Sequence, residues 1–375
     1  MNIAFIDLAN DGHHWFYNYN IMSSMVDGGE NKIYYFSSDF SKEQIVDLVK
    51  SNIRYITNKK FPKNNRLLIY FYEIYITFKF LVFCIMNSVK RVYFIHGDRY
   101  LFALKLLCGI FKIFKIEVII TLHWFPGKKV KIKWLNSILK VCDVLITHTD
   151  DVKNRILINN DNKYSCKMKV IRYPIMNNEP LDKSVAIKHF QFLKYNKEAP
   201  TILYFGATRY DKGLDILLKA SKNLKNIYNI IIAGKAEYFD EEYILQNERL
   251  CKNVTFINKL EFIDENDIKY YFSCADIIVL PYRKIFNGES GILTESISFG
   301  KISVVPNIIH FPKIIQKYKN GIVYKCEDYL DLAKKLDLCY ENINYYRKNA
   351  NEAMEEYRKI HSLEKFKKRY LEILK

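Results

Sequence analysis

Short, nearly unbroken apolar runs alternate with longer helix-like segments along this whole chain, the pattern of parallel strands covered on both faces. In the first half, Asn2–Leu8, Lys32–Ser37, Ile53–Ile56, Val92–His96, Glu117–His123, Val144–His148 and Lys169–Arg172 read as strands. Phe16–Val26, Lys42–Lys50, Arg66–Ser88, Tyr100–Phe114 and Lys131–Val141 suit crossover helices. Pro174, Pro180 and the polar run Asn177–Lys183 interrupt the rhythm, and Pro200 opens a second round. Its strands are Thr201–Phe205, Ile230–Ala233, Val254–Asn258, Ile277–Pro281, Ile302–Pro306 and Gly321–Tyr324. The expectation is two α/β domains, each a Rossmann-like parallel sheet, facing each other across a cleft. Their expected bounds are 1–180 and 200–344, with a linker at 181–199. A charged helical tail at 345–375 could return to the first domain.

A chain of 375 residues, 49% hydrophobic and 26% charged, can bury two such cores. The net charge of +17 is unevenly spread: residues 51–140 carry 17 Lys/Arg against three acids, Glu73, Asp98 and Glu117. Such a field draws phosphate-bearing partners: nucleic acid, an anionic membrane or phosphorylated small molecules. No zinc-finger spacing, aromatic-glycine RNA signature or basic zipper supports the first of these. The eight cysteines form no C-x-x-C pair and sit mostly in apolar runs, which reads as buried free thiols in a reducing compartment. Met1–Leu8 reads as a strand rather than a secretory leader. Leu67–Met86 is long enough to span a bilayer, but Glu73 and Lys79 within it favour a core or interfacial helix.

Two stretches carry chemistry. In Tyr204–Ala220 a strand ends at Gly206, a loop brings Arg209 and Lys212, and a helix begins near Gly213. Glycine admits a ligand close to the backbone, a helix start favours an anion, and the two cations could hold a diphosphate. The same residues also suit a βα loop with two solvated cations. In Ala275–Lys301 a strand ends at Pro281-Tyr282, and the loop Asn287–Gly291 leads into a helix bearing Glu295. Backbone amides there could cradle phosphate, and the carboxylate could hold ribose hydroxyls. A first-turn acid offsetting the helix dipole is the alternative.

The order and spacing of these segments over residues 200–340 resemble the family 4 retaining glycosyltransferases, which have the GT-B fold. The resemblance implies that Arg209 and Lys212 hold the donor diphosphate, that the loop at Ser290, Gly291 and Ile292 wraps the phosphates, and that Glu295 holds the nucleotide ribose. Gly206 would line the donor. Many members have a second glutamate eight positions before the first; here that position is Asn287, with Glu289 nearby, which leaves the sugar contact open. Gly12, in the loop after the first strand, would approach the donor, or belong to a turn and helix cap. His123, at the end of Glu117–His123, resembles a strand-end histidine facing the donor phosphate and sugar; a purely structural histidine is the alternative.

The implied function is metal-independent, retaining hexosyl transfer from a nucleotide-diphosphate sugar, with no cofactor, to a glycan hydroxyl. Lys128, Lys129, Lys131 and Lys133, near Trp124, Phe125 and Trp134, suit a lipid headgroup layer. They point to a lipid-linked acceptor, surface polysaccharide assembly, and a cytoplasmic protein peripheral to the inner face of the plasma membrane. Other readings are a GT-B sugar-nucleotide epimerase or a basic nucleic-acid-binding protein.

Overall fold

A computed structural model describes residues 1–10, 13–27, 31–62, 65–175, 179–190, 195–286, 288 and 290–374. The chain divides into two compact units, Met1–Pro174 with Leu363–Lys375, and Ile175–Ser362.

The N-terminal unit runs β1 (Asn2–Ile6), α1 (His13–Asp27), β2 (Lys32–Ser38), α2 (Lys42–Lys50), β3 (Ile53–Asn58), α3 (Arg66–Met86), β4 (Arg91–Phe94), α4 (Leu101–Ile113), β5 (Glu117–Leu122), α5 (Lys129–Val141), β6 (Val144–Thr147), α6 (Asp150–Ile158) and β7 (Met168–Val170). The C-terminal unit runs α7 (Lys183–Phe190), β8 (Thr201–Phe205), α8 (Leu214–Ser221), β9 (Tyr228–Ala233), α9 (Glu241–Glu248), β10 (Val254–Lys259), α10 (Glu265–Cys274), β11 (Ile277–Val279), α11 (Gly291–Ser298), β12 (Ile302–Pro306), α12 (Phe311–Tyr318), β13 (Gly321–Tyr324), α13 (Tyr329–Glu341) and α14 (Ile343–Ile360). A last helix, α15 (Leu363–Leu374), belongs to the N-terminal unit.

Among the described residues, the strands of both sheets pair in parallel. The sheet orders are β3-β2-β1-β4-β5-β6-β7 and β10-β9-β8-β11-β12-β13. In each sheet the chain winds outward from its first strand, then reverses to wind the other way. The reversals lie between β1 and β4 and between β8 and β11, and the loops leaving the carboxyl ends there bound a crevice that favours ligands.

Alternate residues of one strand enter different cores, which explains the continuous apolar runs. Ala4 and Ile6 pack with α3 and α4 residues such as Phe80 and Leu104, while Ile3 and Phe5 pack with Tyr17 and Met22 of α1. In the second sheet Ile202 and Tyr204 face one core and Leu203 the other.

The expected linker at 181–199 is not a bare connection. It contains α7, whose Ala186 is fully buried in the C-terminal unit. Lys183 there pairs with Asp276 at 2.5 Å, and the Leu181 amide donates to Ser273 Oγ. The tail is divided too. Ala350, Ala353 and Tyr357 of α14 are buried in the C-terminal unit, while Phe366 and Tyr370 of α15 enter the N-terminal core.

All eight cysteines are free and six are buried. In α3, one stripe (Glu73, Ile76, Thr77, Phe80, Leu81, Cys84) is buried, while Leu67, Leu68, Phe71, Tyr75, Phe78, Val82, Ile85 and Met86 lie on the surface.

Candidate functional site

At the reversal of the second sheet, β8 ends in Gly206, whose φ of +108° suits only glycine, and its amide donates to Ala233 O at 2.7 Å. A Cβ at Gly206 would lie 2.5 Å from Lys212 Nζ, so the lysine is folded back over the strand end. The chain reaches that position through Thr208, which is fully buried. Its Oγ1 donates to Phe239 O and accepts from the Glu237 amide, fastening this loop to the one after β9. Gly213, in the left-handed region, then turns the chain into α8 so close to β11 that a Cβ would meet Pro281 O at 2.0 Å.

Lys212 Nζ has no hydrogen-bonding or ion-pairing partner among the described residues. It lies 5.8 Å from the centre of the Tyr282 ring. Burial, and then the nearby Arg209 charge, pull its pKa down to about 8, against the opposing pull of Asp211 and Glu237. A desolvated ammonium without a fixed counterion is poised for an anion. Arg209 differs: both arms of its guanidinium reach Asp211, at 3.0 and 2.7 Å. The fork expected to hold phosphate is closed on a carboxylate two residues away.

Tyr282 links the two stretches. Its hydroxyl lies 3.3 Å from Ser290 Oγ, and burial pushes its pKa up to about 12. Ser290 caps α11 by accepting from the Leu293 amide. The amides of Gly291 and Ile292, in the first turn, find no acceptor among the described residues, and the space around Gly291 Cα is open. Glu295 is buried, 7% exposed, with Oε2 accepting from Ser298 Oγ at 3.4 Å. Gly206, Lys212, Tyr282, Ser290 and the start of α11 are thus joined by direct contacts. Asn287, Glu289 and, in the other unit, Gly12 lie outside the described residues.

Sequence reading passed over Arg283. It is 9% exposed, donates to Asp215 Oδ1 at 2.6 Å, and stacks 4.2 Å from the Tyr210 ring centre. Its amide also donates to Asp211 O. It therefore braces the cation-bearing loop from behind. Its position directly after Pro281-Tyr282, at a strand end, was the available signal.

In the N-terminal unit His123 is buried. Its Nε2 lies 3.1 Å from Ile95 O and its amide donates to Asp98. Burial and the neighbouring His96, His148 and His14 hold its pKa well below the usual histidine range. A neutral ring that donates from Nε2 to Ile95 O leaves Nδ1 as an acceptor.

Lys128, Lys129 and Lys133 are exposed. Lys131 instead turns towards a cavity of about 360 Å3 lined by Glu73, Asp98, Phe102, Lys128 and Trp134. Burial raises the Glu73 carboxyl to about 7, despite the Ala103 amide that donates to it at 2.9 Å and the nearby Lys131.

Residues 186–359 match the family described as Glycosyl transferases group 1. A stretch of 158 residues is 27% identical to the GalNAc-alpha-(1->4)-GalNAc-alpha-(1->3)-diNAcBac-PP-undecaprenol alpha-1,4-N-acetyl-D-galactosaminyltransferase of Campylobacter jejuni subsp. jejuni serotype O:2. It covers 40% of this chain and only 42% of that relative. Sucrose-phosphate synthase from Thermosynechococcus elongatus superposes with a TM-score of 0.77 at 13% identity, covering 100% of this chain and 98% of that one. A glycosyltransferase from Rickettsia africae gives 0.72 at 16%, covering 99% and 97%. HepE from Anabaena, in complex with UDP-glucose, gives 0.72 at 15%, covering 100% and 99%. The chain therefore has the GT-B fold, and its C-terminal stretch, residues 186–359, is similar to the group 1 glycosyl transferases.

Proposed function

We propose that this protein transfers a hexosyl group, with retention of anomeric configuration, from a nucleotide-diphosphate sugar to a hydroxyl of a lipid-linked glycan in surface polysaccharide assembly. The observation that carries the reading is Lys212: an ammonium unpaired among the described residues, held over a strand-end glycine at the sheet's reversal, in a stretch similar to the group 1 glycosyl transferases.

As the bond between the anomeric carbon and the diphosphate breaks, negative charge grows on the leaving phosphate. Lys212 and the amides of Gly291 and Ile292 stabilise that charge, each such donor being worth about 3 kcal/mol. Arg209 joins them by exchanging the Asp211 carboxylate for phosphate oxygens, and Glu295 holds the ribose. The acceptor oxygen attacks the anomeric carbon on the face that the diphosphate leaves, and its proton passes to the departing phosphate oxygen. These cations take the place of a metal at the diphosphate, and no cofactor enters.

Two observations support a lipid-linked acceptor. The N-terminal unit carries both the exposed apolar stripe of α3 and the basic segment Lys128–Lys133, and its aromatic, charged cavity is lined by residues of α3 and of that segment. The Campylobacter relative acts, by its name, on a substrate linked through PP to undecaprenol. The proposal extends to docking at the cytoplasmic face of the plasma membrane, which an apolar surface with nearby lysines supports.

A thermal-shift screen against a panel of sugar nucleotides tests the donor assignment, because a ligand that binds the native state raises the melting temperature by mass action. One nucleotide class should stabilise the wild type and leave Lys212→Ala unshifted. Equal stabilisation of both would remove the assignment.

A further inference from the structure

The first sheet has a reversal of its own. β1 and β4 lie side by side there, with Ile6 opposite Phe94, and the Ile95 amide donates to Ile6 O. The next residues, Asp7 and His96, leave the sheet together. α1 begins above them and brings in His14. Asp7 Oδ2 lies 3.1 Å from His14 Nδ1 and 3.5 Å from His96 Nε2, and the three atoms are all within 4.8 Å of one another.

The surroundings fix these atoms in place. The Ala9 amide donates to Asp7 Oδ1 at 3.0 Å, which turns Oδ2 towards the two rings. Asn18, one helical turn after His14, donates to Asp7 Oδ2 at 2.9 Å. The His96 ring stacks on His123 with centres 3.8 Å apart and planes 11° from parallel. Outer partners of this kind orient metal ligands and fix their tautomers. Asp7 is fully buried, while the His14 side chain keeps 14% of its surface exposed, a way in from solvent.

Two imidazole nitrogens and one carboxylate oxygen are a donor set for zinc and the neighbouring late first-row ions; calcium and magnesium favour oxygen alone. Ligand bonds of about 2.0–2.1 Å put neighbouring donors of a tetrahedron about 3.3 Å apart. The two separations from Asp7 already bracket that value. We propose that Asp7, His14 and His96 bind one divalent transition-metal ion of the zinc class, with a fourth position open to water or a substrate oxygen. This goes beyond the donor reading, since every ligand belongs to the N-terminal unit.

The test is a titration of the full chain, stripped with EDTA and dialysed, with Co2+ followed by visible absorption and then displacement by Zn2+. One equivalent should bind saturably, with the intense absorption of tetrahedral cobalt. Asp7→Asn, His14→Gln and His96→Gln should each weaken binding by at least about 10–100-fold, the range already seen for loss of outer-shell partners. His189→Gln, which changes a half-exposed histidine of the other unit, should bind like wild type. Far-UV circular dichroism checks that the variants fold; His14→Gln, at the rim, is the gentlest of the three. Absence of saturable uptake, or uptake unchanged in a folded His14→Gln, would overturn the proposal and leave a hydrogen-bonded cluster.

Discussion

Lys212 Nζ occupies the space that a side chain at position 206 would need, 2.5 Å from an ideal Cβ on Gly206. In Gly206→Ala the flexible lysine tip gives way first, while the +108° φ strains the backbone at the same residue. The ammonium is then moved off the strand end. Removing a hydrogen bond to a charged group costs about 1.5–3 kcal/mol, so sugar-nucleotide affinity should fall roughly 10–150-fold in Gly206→Ala and in Lys212→Ala. Calorimetric titration measures it, with Lys212→Arg as the variant that keeps the charge. Near-native affinity in Lys212→Ala would detach this residue from the diphosphate.

The lowered pKa of Lys212 makes donor binding a proton-linked event. In the free protein the ammonium is half deprotonated near pH 8. A bound diphosphate favours the charged form and draws the pKa back up, so binding at pH 8 should take up about half a proton. Affinity should decline as pH rises above 8 and level off below about 7. Titrations in buffers of different ionisation enthalpy read the uptake directly, and Lys212→Arg should abolish it. The sign for folding is opposite: a lysine whose native pKa lies below its unfolded value adds stability as pH climbs from about 8 towards 10.5.

Arg283 and Asp215 form a buried pair behind the site, with Lys219 Nζ 3.3 Å from the other carboxylate oxygen. Asp215→Ala leaves a guanidinium charge uncompensated at 9% exposure. Breaking one partner of a buried pair typically costs about 3–5 kcal/mol, and urea unfolding should show a loss of that order. The double variant Asp215→Leu/Arg283→Met should recover much of that stability while still binding donor poorly, since the loop loses its brace. A double variant as unstable as Asp215→Ala would show that the pair matters for more than charge neutrality.

What the sequence disclosed follows from what burial does to it. Strands covered on both faces must be apolar throughout, so runs such as Ile230–Ala233 and Ile302–Pro306 announce themselves. α7 escaped notice because Ala186 is its only fully buried side chain among lysines and polar neighbours. Asp7 and His96 come together only through the pairing of β1 with β4, a long-range relationship that local pattern cannot express. Cations are the hardest to read. Arg209, Lys212 and Arg283 look alike in one dimension, yet one is clamped by Asp211, one lies over Gly206 and one is buried under Tyr210. Lys131 likewise sits in a basic run but turns to the cavity, because Glu73 and Asp98 are already there.

The surface of α3 supplies the last prediction. Phe71, Tyr75 and Phe78 are 69%, 58% and 52% exposed, at a spacing that puts them on one helix face. Fully burying such a ring is worth about 1.5–3 kcal/mol, so even partial insertion of three outweighs a few screened charges. Each lysine near an anionic bilayer adds about 1 kcal/mol, and salt removes that share. Replacing the three aromatics by Gln should abolish flotation with phosphatidylcholine–phosphatidylglycerol vesicles at any salt concentration while preserving the melting temperature. Replacing Lys128, Lys129 and Lys133 by Gln should weaken flotation at low salt and change little at high salt. If both variants float like wild type, the lipid surface is not what this face meets, and the acceptor must be sought in solution.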